Sequence, residues 1–380
     1  MKTSSCSVLA LLMLGAISTS AQAGQVRTDG QDIILSTKGG LKLETEDKSA
    51  SFKLGGRLHW DYTQKDTNFA PGNRTAEDFD ARRARINLSG HYGDFEYEAE
   101  YNLSESDDTG DDIGGSAEDL YIKYTGFGDM ANVTVGKQRV PFGMNELTSS
   151  NNITLLERAA ITERYTLDRS AGVKFSGNGM DKRFTYGVGF FEAEGNGTND
   201  FEDRAFAGRV TFAPIMTKNR LLHVGAGYQT IGATDPADET DTVNLELAGA
   251  YGPFHAQAEY FDSDVGPQNF NGYYAQVGYI LNGGGTRPYR DGVFRRVQAV
   301  PGGTWEVAAR YEEGDGRFND VILRTADNRD ISRFDGQQIS LGLNYYMNDS
   351  VRIGLSYMDA ESNTSELNGN ELRMRLQFTY

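Results

Sequence analysis

The most chemically suggestive cluster in this chain is Arg82-Arg83-Ala84-Arg85. Arginine presents a planar fork of N–H donors that matches oxyanions, so three guanidiniums in four residues could attract an anion. The competing use is a set of ion pairs to the Glu96, Glu98 and Glu100 row on the next segment. The sequence leaves both uses open. A second candidate is the long connection 141–168, where Phe142, Glu146, Glu157, Arg158 and Arg164 mix apolar anchors with charges, as a loop packed into a wet interior would require. Nothing points to catalysis. The four histidines (His59, His91, His223, His255) have no metal-ligand spacing, and no G-x-S-x-G elbow, P-loop or H-E-x-x-H is present. We therefore expect no catalytic residue, no metal and no cofactor. The acidic connection 105–116 carries five acids and no base, but its spacing fits no calcium loop and reads as a solvated loop.

The elements that position these residues have period two. Phe52, Leu54, Leu58, Trp60 and Tyr62 fall on one side, and Lys53, Arg57, His59 and Asp61 on the other. Leu372, Met374, Leu376 and Phe378 likewise oppose Arg373, Arg375, Gln377 and Thr379. Successive strand residues point to opposite faces, so the alternation predicts strands with one apolar and one polar face. Sixteen such segments are centred near residues 57, 86, 99, 121, 135, 173, 188, 208, 225, 247, 259, 276, 309, 341, 355 and 375. Connections leaving odd-numbered segments are expected to be mostly long (64–79, 105–116, 141–168, 195–202, 232–241, 316–334). Those leaving even-numbered ones are mostly short, with 282–302 the exception. This predicts an all-β, 16-stranded antiparallel transmembrane β-barrel over 51–380, with 141–168 as an inward-folded constriction loop.

Composition narrows the alternatives. The formal net charge is −17, and 45 of the residues are glycine. An acidic excess argues against nucleic acid as a partner. After the N-terminus no apolar run approaches the ~20 residues a spanning helix needs. Lys2, the apolar stretch 8–17 and Ala21-Gln22-Ala23 read as a signal peptide over 1–23, which would remove Cys6, the single cysteine. Residues 24–50 then read as a periplasmic N-terminal segment. The basic stretch 287–296, with Lys38, Lys42 and Lys48, is expected at the inner mouth.

Several short blocks, in order, resemble the phosphate-selective porin O and P family over about residues 29–380. They include Phe52-Lys53-Leu54-Gly55-Gly56-Arg57-Leu58, Arg82-Arg83-Ala84, Pro141-Phe142-Gly143, Glu157-Arg158, Leu222-His223-Val224-Gly225 and Gly252-Pro253-Phe254. The final Phe378-Thr379-Tyr380 resembles the terminal aromatic signal of bacterial outer-membrane barrels. The resemblance implies a homotrimeric porin in outer-membrane lipid, passing small ions or solutes through a constriction lined by arginines. Arg57, Arg82, Arg83 and Arg158 fall on positions that are lumen arginines in phosphate-selective members, and Arg85 extends the cluster. Two departures stand out. The arginine-rich insertion between the ninth and tenth strands is replaced by acidic 233–239, and Glu146 stands where those members carry lysine. The expected function is passive diffusion, with phosphate or another small anion as the leading permeant. The alternatives are a general or cation-leaning channel and a non-conducting surface barrel.

Overall fold

A strand with one oily face and one wet face leaves its edges unpaired unless the sheet closes on itself. In the computed structural model the sheet does close. The structure describes residues 24–26, 32–37, 39–69, 72–104, 115–193, 204–232, 239–283, 285–316, 334–362 and 368–380. Three short strands come first: β1 (Gly24–Val26), β2 (Ile33–Ser36) and β3 (Leu41–Thr45). The wall begins with β4 (Ala50–Phe69), β5 (Gly72–Tyr92), β6 (Phe95–Asn102), β7 (Ser116–Tyr124) and β8 (Asn132–Arg139). Two short helices follow, α1 (Met144–Leu147) and α2 (Ala160–Tyr165). Next come β9 (Arg169–Gly179), β10 (Phe184–Glu192), β11 (Arg204–Met216), β12 (Arg220–Ile231), β13 (Thr240–Tyr251), β14 (Phe254–Val265) and β15 (Gln268–Ile280). A small hairpin, β16 (Tyr289–Arg290) and β17 (Val293–Phe294), precedes β18 (Thr304–Gly316), β19 (Phe334–Tyr346), β20 (Val351–Ser362) and β21 (Asn368–Thr379).

Sixteen of these strands form one antiparallel ring, closed where β21 pairs with β4 from Arg57↔Thr379 to Asn68↔Asn368. Every centre expected from the alternation falls inside one of them. The expected loop 64–79 is a correction: β4 and β5 run on as a paired hairpin to Phe69↔Gly72. Alternation in that stretch is too polar to announce a strand. The hairpin β2–β3 joins the wall, for Leu41–Glu44 pair with Leu54–Ser51 of β4 beside the end of β21. The signal segment 1–23, Lys38, and most of 105–116, 195–202, 233–239 and 316–334 lie outside the described residues.

The burial pattern inverts that of a water-soluble barrel. Along β21, Leu376 is 53% exposed and its neighbours Arg375 and Gln377 are at 1% and 0%. The same holds on β13, where Val243, Leu245 and Leu247 are exposed and Asn244 and Glu246 are buried. Aromatic rings collect outside at both ends of the strands. Trp305–Tyr345 and Phe95–Tyr124 pack at the short-turn rim, and Tyr273–Tyr311 and Phe190–Phe206 at the long-loop rim. Two girdles bounding an apolar band are what a bilayer selects.

Candidate functional site in the lumen

Irregular backbone inside a barrel needs hydrogen-bond partners, and the segment 140–168 finds them on the far wall. It leaves β8 and returns to β9, yet Met144 and Asn145 donate their backbone N–H groups to Glu259 of β14 at 2.6 and 2.8 Å. Arg310 of β18 donates to the carbonyls of Glu157 and Arg158, and Arg352 of β20 to those of Ile153 and Thr154 at 2.8 and 2.6 Å. His59 of β4 meets Asn151 at 2.9 Å. The segment therefore crosses the interior. Its apolar residues sit over lumen-facing glycines: a Cβ at Gly342 would come within 2.6 Å of Leu155, one at Gly227 within 2.9 Å of Phe142, and one at Gly354 would collide with Leu156. Gly143 makes the turn into α1 at φ 73°, a conformation glycine adopts without strain.

Glu157 is the centre of the basic cluster. Its carboxylate accepts from Arg82 and Arg83 at 3.3 Å, Arg373 at 2.8 Å and Arg375 at 2.5 Å. Burial pushes this carboxyl up, but Arg83, Arg82, Arg375 and Arg373 outweigh it and hold it well below the usual carboxylate range. Strict alternation would put Arg82 and Arg83 on opposite faces. A β-bulge resolves this: His59 pairs with Arg83 but Asp61 pairs with Asp80, so β5 has one extra residue and both guanidiniums reach Glu157. A second bulge on β7, between Glu100↔Asp119 and Tyr101↔Ala117, adds Glu118 to the interior. Glu118 was not expected there; the adjacent acids Glu118-Asp119 were its one visible signal.

The remaining sequence candidates are all engaged. Arg57 pairs with Glu100 at 2.5 Å and donates to Ser150 at 3.1 Å. Arg85 bridges Glu100 and Glu118, so the ion-pair reading holds for Glu100. Glu96 instead takes Lys123, and Glu98 takes Asn87 and Tyr121. Arg158 and Arg139 flank Glu146 at 3.2 and 2.6 Å. Burial lifts the Glu146 carboxyl to about 7 against the pull of Arg158 and Arg139. Phe142, fully buried, packs against Phe261, and Arg164 lies over the rings of Tyr165 and Phe270.

The exceptional connection 282–302 explains its own length by turning into the barrel. Arg287 is a correction: it does not line a mouth but is 3% exposed, donating to Thr154 and to the carbonyl of Asn152 and lying 4.9 Å over Phe294. Tyr289 meets His223 at 2.6 Å, and Arg209 donates to the Gly292 carbonyl at 2.7 Å. Val293 and Phe294 share an apolar cluster with Met144 of the other inserted segment.

Space remains on the β6–β10 side. One cavity of about 470 Å³ is lined by the basic residues Arg57, Lys123, Arg139, Arg169, Lys174 and Arg295 and the acids Glu98, Asp119 and Asp291. A neighbouring one of about 330 Å³ shares Lys123, Leu147, Lys174, Ser176 and Asp291. On the long-loop side a third, about 460 Å³, is bounded by Asp61, Asp78, Asp80, Lys65, Arg82 and Arg373. Arg83, Arg85 and Arg158 line none of these three.

The family model for phosphate-selective porin O and P matches residues 52–242 and 230–380. Porin O of Pseudomonas aeruginosa is 31% identical, over 96% of each chain. Among solved structures, the anion-selective porin from Comamonas acidovorans superposes with a TM-score of 0.56 at 13% identity, covering 87% of this chain and all of the other. OmpT of Vibrio cholerae in its trimer form gives 0.53 at 11%, with the same coverage. These two likenesses are of fold. With the closed ring and its inverted faces, the family match settles membership: the chain belongs to the phosphate-selective porin O and P family and is an outer-membrane porin, a channel and not an enzyme.

Proposed function

We propose that this porin is a passive channel preferring small anions, phosphate foremost. The observation that carries the reading is the sign of the residual space. The chain as a whole is strongly acidic, at −17, yet the cavity of about 470 Å³ beside the inserted segment is bounded by six basic and three acidic side chains. Fields focus in a narrow channel with low-dielectric walls, so the local excess governs which ion enters. Arg57 and Arg82 would meet the ion. Arg83, Arg85 and Arg158 would hold the inserted segment and wall in place, and Phe142, Glu146, Glu157 and Arg164 would set the constriction. Membership of a phosphate-selective porin family supports this direction, and the Comamonas porin of the same fold is anion-selective.

Supporting features suggest a homotrimer. Strands β6, β7 and β8 have 8, 9 and 8 residues, against 12 or 13 in β11 to β15. A flank too short for a full lipid band suits contact with a second protomer, and OmpT is described in a trimer form. Export through a signal over 1–23, with 24–50 on the periplasmic side, belongs to the same reading. The test is electrical. In planar bilayers under a salt gradient the reversal potential should show anion preference, and phosphate should block chloride current. Block should weaken in Arg57→Ala and persist in Arg220→Ala at the rim. Cation preference without phosphate block would overturn the reading.

A further inference from the structure

The hairpin β16–β17 brings one carboxylate to the border of both cavities on the β6–β10 side. Its two-residue turn, Asp291-Gly292, has positive φ at both positions, 55° and 77°, the mirror-image geometry that closes the tightest hairpins and projects the first turn side chain away from them. The hairpin is fixed from behind by Arg209 on the Gly292 carbonyl, by Tyr289 on His223 and by buried Phe294. Asp291 itself is half-exposed and borders both cavities of the β6–β10 side, each of which also contains Lys123 and Lys174. Arg290 at 3.2 Å and Arg295 at 2.9 Å flank its carboxylate and hold it in this position.

Resting on the anion reading above, we propose that Asp291 is a specificity-determining residue of the channel, a release carboxylate that limits how long an anion dwells beside Lys123 and Lys174. Conduction needs a site strong enough to admit an ion and weak enough to let it go. Glu98 and Asp119 line only the larger of the two cavities, whereas Asp291 borders both of the spaces that Lys123 and Lys174 face. Asp291 partly neutralises Arg295, so with its flanking Arg290 and Arg295 it leaves one net positive charge where there would otherwise be two.

The substitution Asp291→Asn removes the charge and keeps the turn, because Asn-Gly favours the same geometry. In planar bilayers it is expected to shift the reversal potential toward anions and to lower the phosphate concentration that half-blocks chloride current several-fold. Arg295→Gln is expected to move both readings the other way. Heat-modifiable migration on gels confirms that each variant is folded. Unchanged reversal potential and block in folded Asp291→Asn would overturn the assignment. The shift is scored against the parent channel, so a cation-preferring parent would refute the anion reading while the movement on Asp291→Asn still judged this residue.

Discussion

Glu157 of the inserted segment and Arg375 of the last strand meet at 2.5 Å, joining the loop after β8 to the wall at the barrel's closure. The same carboxylate serves Arg82, Arg83 and Arg373, so one negative charge masks much of the basic cluster. Glu157→Gln should raise the anion-to-cation permeability ratio several-fold, read from the reversal potential. It should also cost about 1–3 kcal/mol of stability, since charged hydrogen bonds are lost at a mostly buried position. Arg375 keeps its bidentate contact with Asp61, which limits the damage.

The glycine seats make a steric prediction. Gly354→Val puts a branched side chain where Leu156 now lies. Overfilling costs about 1–3 kcal/mol, and the wall is continuous sheet, so the loop should yield first. Single-channel conductance should rise or become noisy. Gly285→Val, at an exposed position with open space around it and no left-handed backbone to strain, should leave conductance unchanged.

Acidity should tighten the loop through Glu146. Its carboxyl lies near 7 in the folded chain and near 4.5 ordinarily, because burial disfavours the charged form. A group raised on folding takes up a proton, so its contribution is full below about 4.5 and is lost as pH rises through about 7, on the order of 3 kcal/mol. Thermal unfolding should therefore show higher stability at pH 5 than at pH 8. Glu146→Gln should flatten that component of the slope, and equal slopes in the two proteins would contradict the assignment.

Assembly can be checked without any substitution. Unheated detergent gels and chemical cross-linking should give a species of three chains that collapses to one on boiling. A monomer under both conditions would remove the reason offered for the short strands β6 to β8.

Which parts of this were legible in the sequence follows from how far each feature depends on local pattern. Period-two alternation is local, so the wall strands could be placed from the order of residues such as Leu372 to Thr379. A bulge is a single extra residue and leaves the alternation readable on either side, which is why Arg82 beside Arg83 looked like a cluster without showing how both turned inward. The lumen-facing glycines at 227, 342 and 354 gave no signal, because their meaning lies in Phe142, Leu155 and Leu156 arriving from far along the chain. The inward path of 282–302 was hidden for the same reason. Its length was visible, but the pairing of Arg287 with Thr154 joins residues 133 apart in sequence.

Oily side chains face acyl chains, and charged ones face a water-filled passage. Cys6 is the only cysteine and lies in the segment assigned to the signal, so single-cysteine variants of the exported chain are unambiguous. A fluorophore on Leu376→Cys should be quenched by brominated lipid, and a negatively charged, water-soluble thiol reagent should attack Lys174→Cys and reduce its current. A Leu376 label shielded from lipid, together with an unreactive Lys174→Cys, would contradict the account.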